Sequence, residues 1–201
     1  MATGSHGWAA LMLPGDVLST GIPDRPDALQ RRLDWIGYAI AKGLADPKAH
    51  EWVDRATQHC PHSNMPGAAE CEIQAIFQAL KRSFKYRYHP RGIDQIRTLT
   101  ASLRHKTADC DQAFVCLATA LHIRGFLTSG MVMSADGDTI GHVWGAVGYP
   151  RNNPRTWIDL ELTTGPVTPE HPLGGPDAAV VGYAVPQAAR RWQQRFVFKL
   201  G

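Results

Sequence analysis

The sequence predicts an α+β fold, and three observations carry the prediction. As far as Gly125, apolar residues recur at the helical spacings of three and four. From Phe126 onward the period drops to two, as in strands with one buried face. Turn-forming stretches, ADGD at 135–138 and PRNNP at 150–154, separate the alternating segments. Helices followed by such a meander point to a helix packed on an antiparallel sheet.

Composition narrows the class. A chain of 201 residues makes one domain with an ordinary core, burying roughly 70% of its unfolded surface. A hydrophobic share of 44% and a charged share of 19% belong to a globular protein. The net charge of +3 is spread thinly, with small basic groups at Arg31-Arg32, Lys81-Arg82 and Arg190-Arg191. Nucleic acid is not an expected partner, because counterion release needs a concentrated basic face. No apolar run approaches the about 18 residues of a membrane span, and the start MATGSHGWAALMLPGD lacks the basic flank of a secretory signal. Four irregularly spaced cysteines (Cys60, Cys71, Cys110, Cys116) do not look like a disulfide framework, so a reducing, cytoplasmic setting is expected.

The elements follow in order. Residues 1–26, rich in Gly and Pro, read as an extended arm with a short strand near Trp8–Leu13. A first helix starts after Pro26-Asp27 and carries Leu29, Leu33, Ile36, Ile40 and Leu44 on one face. Asp46-Pro47 opens a second, with Asp as cap and Pro at the first position, ending near His59. CPHSNMPG at 60–67 is a loop by composition. A third helix, about Ala69 to Tyr86, shows Ile73, Ile76, Phe77, Leu80 and Phe84, and YHPRG breaks it. Ile93 to Arg104 is helical or mixed. A fourth helix runs from Cys110 to Gly125, a good C-terminal glycine. FLTSGMVMS, IGHVWGAVGY and RTWIDLEL are strands. Ala178–Val185 and Arg195–Leu200 read as further strands. The chain is expected to divide into an N-terminal arm and helical extension (1–65), a central core (66–170) and a C-terminal strand and tail (171–201).

TADCDQAFVCLATALHIRG places a cysteine between two aspartates, at the polar edge of an apolar helix. Cys110 at that helix start, His142 in GHVW and Asp159 in WIDLE form a constellation if the PRNNP hairpin makes His142 and Asp159 neighbours. The thiolate is the nucleophile, and free N–H groups at a helix start favour it. An imidazole can take and return the proton, and a carboxylate orients the ring. Asp109 and Asp111 oppose thiolate formation. The reading here is that the His142 cation and the helix start outweigh them. Each residue also has a plainer reading, as an inert cysteine, a satisfied histidine and a solvated aspartate.

Taken together, EIQAIFQALKRSFKYRYHPRG, ADCDQAFVCLATALHIRGF, GHVWGAVGY and WIDLE resemble the transglutaminase-like superfamily of cysteine enzymes, from about Glu70 to Thr164. The resemblance implies a papain-like core with the nucleophile helix packed on an antiparallel sheet. It implies Cys110 as nucleophile, His142 as base and acid, and Asp159 as orienting carboxylate. Ala108, Gln112 and Leu160 depart from the family pattern without removing a catalytic group. The superfamily holds proteases, amidases, cross-linking acyl transferases and inactive members. Small bacterial and phage-encoded relatives are mostly read as cysteine peptidases.

An oxyanion hole needs donors beyond the Cys110 N–H. Gln95, Gln112 and Trp144 are the candidates for that or for substrate binding, with core packing the alternative for Trp144. HCPH at 59–62 with Cys71 matches no usual zinc spacing, so neither metal nor cofactor is expected. His171, in a loop, is a base only if the strands fail. The function expected is a thiol-dependent amide-bond hydrolase acting on a protein or peptide. The alternatives are a transglutaminase-type acyl transferase, or a structural component of a phage or bacterial assembly held through the terminal arms. The location expected is cytoplasmic, or virion-associated if the chain is phage-encoded.

Overall fold

The computed structural model describes residues 11–13, 17–20, 28–87, 94–133, 142–151, 153–163 and 193–197. Its elements are β1 (Leu11–Leu13), β2 (Val17–Thr20), α1 (Ala28–Leu44), α2 (Pro47–Thr57), α3 (Ala68–Ser83), β3 (Lys85–Tyr86), β4 (Asp94–Arg97), α4 (Leu99–His105), β5 (Thr107–Ala108), α5 (Cys110–Ile123), β6 (Thr128–Met133), β7 (His142–Tyr149), β8 (Thr156–Leu160) and β9 (Gln193–Val197). The expected ADGD turn, the strand at 178–185 and His171 lie outside the described residues.

The α+β expectation holds. An antiparallel sheet in the order β8-β7-β6-β9 packs on α5, which the other helices surround. α5 is buried without a break from Asp111 to Leu121. Ile36, Ala39 and Ile40 of α1 bury against Phe114, Val115 and Ala118 of α5. Val53 of α2 and Ile73, Ile76, Phe77 and Leu80 of α3 meet Leu117 and Leu121 on its other flanks. α1 and α2, from the segment set apart as 1–65, therefore share a core with the later elements.

Local chemistry sets the element ends. Asp46 caps α2 by accepting from the Lys48 N–H at 3.0 Å, with Pro47 next, as expected. α3 stops at Ser83, short of the expected Tyr86, because Phe84 turns extended and Lys85–Tyr86 pair in parallel with Thr107–Ala108. Of the stretch expected to be helical or mixed, residues 94–104 resolve into β4, the Thr98 cap and α4. α5 closes as predicted at Gly125, whose φ of 77° suits glycine, with Phe126 N–H donating to the Leu121 carbonyl at 3.0 Å. β2, β3 and β5 had no signal in the sequence: each is only two to four residues long.

One expectation is overturned. Cys60 and Cys71 form a disulfide, with Cα atoms 5.6 Å apart. The loop after α2 turns the chain back, so that Cys71, in the first turn of α3, meets Cys60. Spacing alone does not reveal that geometry. No described helix is long and apolar enough to cross a membrane.

Two predictions follow from the packing. A Cβ on Gly145 would lie 2.7 Å from Leu117 Cδ2 and 3.2 Å from Phe114 Cδ2, so the helix rides directly on the strand backbone. Gly145→Val should lower the unfolding free energy by about 1–3 kcal/mol in urea titrations. The Cys60–Cys71 bridge closes a loop with a sequence separation of 11. Replacing both cysteines by serine should cost about 2–3 kcal/mol, and identical melting with and without reductant would show that the bridge does not form.

Candidate active site

The start of α5 is fixed from two sides. Asp109 caps it, accepting from the Gln112 N–H at 2.9 Å. The residues just before the cap are held by β3: Lys85 N–H donates to the Lys106 carbonyl at 3.0 Å and Arg87 N–H to that of Ala108 at 3.1 Å. The partly exposed Cys110 is thus set at the helix start beside β7. Its sulfur accepts from the Val143 N–H. Its thiol lies 3.7 Å from Asp111 Oδ1, as a donor. The other oxygen of Asp111 pairs with Arg32 Nε of α1 at 2.8 Å.

β7 alternates. Val143, Gly145 and Val147 face the helices, and the intervening His142 and Trp144 stack with ring centroids 5.9 Å apart and planes 20° from parallel. His142 Nε2 lies 2.5 Å from Glu161 Oε2, and both residues are buried. Glu161 Oε1 accepts from the Thr163 N–H at 2.6 Å and from its hydroxyl at 2.7 Å. An ionised carboxylate only accepts, so we assign the proton to Nε2, which leaves Nδ1 as the second ring nitrogen.

The carboxylate beside His142 was expected to be Asp159, and here the structure corrects the sequence. In the β7–β8 register, Gly145 faces Leu160 and Ala146 faces Asp159. Asp159 therefore stands four residues along from His142, about 13 Å at strand spacing. Glu161, one step past the Gly145–Leu160 pair, reaches the ring diagonally. Counting outward from the PRNNP turn would have found it, since Tyr149 pairs with Thr156 and the offset follows.

The other candidates are placed as follows. Gln112 is fully buried: its Nε2 donates to the Gln95 carbonyl, and its Oε1 accepts from Arg97 Nη1 at 3.4 Å. The Gln95 side chain accepts from Arg97 Nη2 at 2.9 Å. Both glutamines thus belong to a network around Arg97 that braces the start of α5. Trp144 is buried under the His142 ring. His59, Cys60 and Cys71 bring their ligand atoms within 4.8 Å of one another, with both sulfurs taken by the disulfide.

The structure brings His142 to Glu161, and Cys110 to the His142–Val143 peptide. It does not hydrogen-bond the thiol to the ring. Cys110 and Glu161 line one narrow apolar crevice with Ala113, Leu160 and Leu162. The expected balance at the sulfur is also reversed. Burial, then Asp111 and Asp109, push the Cys110 thiol well above its ordinary range, while the Val143 N–H and Arg32 pull less strongly the other way. In this arrangement the thiol keeps its proton. Arg32 is a residue that sequence reasoning missed, and no local signal joins it to Asp111.

Cys116 is core, as expected. Burial pushes its thiol up to about 12. Alkylation of the native protein should modify Cys110 first, with an onset above that of a free thiol, and reach Cys116 only near pH 12 or on unfolding. Both thiols are neutral in the fold and ionise more easily unfolded. Their contribution to stability is intact below the unfolded value of about 8.5 and is lost as pH rises through the folded values. Melting temperatures should fall across that alkaline window.

No protein-family model and no curated protein matches this chain. Among solved structures, one described as "Crystal structure of a TGase" matches over 80% of this chain at 14% sequence identity with a TM-score of 0.37. The match spans 36% of that chain, little more than a third of its length.

Proposed function

We propose that the protein is a thiol-dependent amide-bond hydrolase acting on a protein or peptide through an acyl-enzyme on Cys110. The observation that carries this reading is the buried His142–Glu161 pair at the point of β7 where the Cys110 sulfur takes the next main-chain N–H. Glu161 takes the role first given to Asp159: it orients the ring through Nε2 and stabilises the imidazolium. Nδ1 takes the thiol proton as the sulfur attacks the carbonyl carbon. The ring then protonates the leaving amine as the C–N bond breaks, giving a thioester. Water, deprotonated by the same nitrogen, attacks the thioester; as the C–S bond breaks the acid is released and the imidazolium returns the proton to sulfur. The Cys110 N–H is one donor for the oxyanion. If an amine enters in place of water, the same steps transfer the acyl group, which is the transglutaminase-type alternative.

The reaction requires the ring to leave its resting position and meet the sulfur. The resting thiol, facing Asp111 instead, favours a second reading: a binding component of an assembly that keeps the fold without turnover. The terminal segments through which such a component would hold its partners lie largely outside the described residues.

Incubation with a peptide mixture followed by mass spectrometry should trap an acyl adduct on Cys110, absent from Cys110→Ala. Repeated absence of any adduct from the unmodified, folded chain would favour the binding component. Glu161→Gln should lower kcat by about 10²- to 10⁴-fold, whereas Asp159→Asn should stay within a few-fold of wild type. The reverse ranking would return the orienting role to Asp159.

A further inference from the structure

The geometry points to Arg32 as a positioning residue of the thiol site: it comes in on α1 and, through its ion pair with Asp111, offsets the carboxylate held against the Cys110 sulfur. This rests on the reading of Cys110 as nucleophile. Asp111 is almost wholly enclosed, its side chain 5% exposed. One of its oxygens is held by Arg32 Nε at 2.8 Å, and the other lies 3.7 Å from Cys110 Sγ. A single carboxylate thus bridges the guanidinium and the thiol.

The elements around the sulfur bring charged and titratable groups that bear on it unequally. α5 and its cap bring Asp111 and Asp109, which both oppose ionisation of the sulfur. β7 brings His142 and the segment after β8 brings Glu161, and these two are engaged with each other. α1 brings Arg32, whose guanidinium stays charged at every working pH and acts in favour of the thiolate. Its placement is enforced by packing, because Leu33, Ile36 and Ile40 on the same helix are buried, the last two against α5. Removing Arg32 takes away the cation and leaves the carboxylate in place. The sulfur would then face Asp109 and Asp111 with no guanidinium between.

A purely structural ion pair and a thiol-positioning one make different forecasts. Loss of a structural pair loosens the site and speeds labelling of Cys110 whichever partner is removed. Under the positioning role the two removals act with opposite sign. The test is the pH profile of iodoacetamide labelling at Cys110 in the full chain, read by mass spectrometry. Asp111→Asn should move the onset to lower pH, with labelling about tenfold faster at pH 8. Arg32→Met should move it up, with labelling about tenfold slower. Arg32→Lys should stay within a few-fold of wild type, and the Arg32→Met/Asp111→Asn double variant should return toward it. Unchanged or slower labelling in Asp111→Asn overturns the inference, and so does a wild-type profile in Arg32→Met. If Arg32→Met does not fold, Asp111→Asn and Arg32→Lys decide the matter between them. Because labelling needs no turnover, these outcomes are separate from the acyl-adduct result on which the nucleophile reading stands or falls.

Discussion

Helix α5 is enclosed on every side, with residues 111–121 buried in one unbroken run between four other helices and the sheet. An apolar helix in that position has no freedom to rotate, because each face meets different neighbours and any turn would leave holes. The enclosure fixes where Cys110 sits. The Asp109 cap sets the first turn, the β3–β5 ladder holds the residues before it, and the contact at Gly145 sets the depth of the helix on the sheet.

Enclosure also sets the electrostatics. A thiol at a helix start would ordinarily lose its proton readily, but here desolvation and two carboxylates outweigh the favourable groups. Burial of Asp111 is costly unless it is paired, and the partner comes from a helix nearly eighty residues earlier in the chain. The His142–Glu161 pair is assembled independently on the sheet, with Thr163 saturating the other carboxylate oxygen. The thiol and the His142–Glu161 pair therefore lie on adjacent layers, joined where the sulfur meets the main chain of Val143.

Much of this was legible in the sequence, for physical reasons that differ by feature. Period and caps revealed α1, α2, α3 and α5, since each buries one stripe and begins or ends at a residue with a definite conformational bias, such as Asp46-Pro47 or Gly125. The sheet of β6, β7 and β8 followed from the change of period. The places of Cys110 at the start of α5 and of His142 on β7 followed from their elements. Asp159 is not the carboxylate beside His142 because face and register are separate facts: it shares a strand face with His142 by parity, yet only the hairpin register says that Glu161 is the one within reach. The Arg32–Asp111 pair and the Cys60–Cys71 bridge depend on how helices pack, and no local pattern encodes that.

The hydrogen bond that β7 offers the Cys110 sulfur comes from the peptide group of Val143, not from a side chain. A main-chain donor is common to all amino acids but proline, so drift at position 143 can exchange one residue for another without deleting it. The chemistry at that contact is insulated from most single-codon changes, and the selective pressure it exerts falls on the path of the strand rather than on the identity of any residue along it.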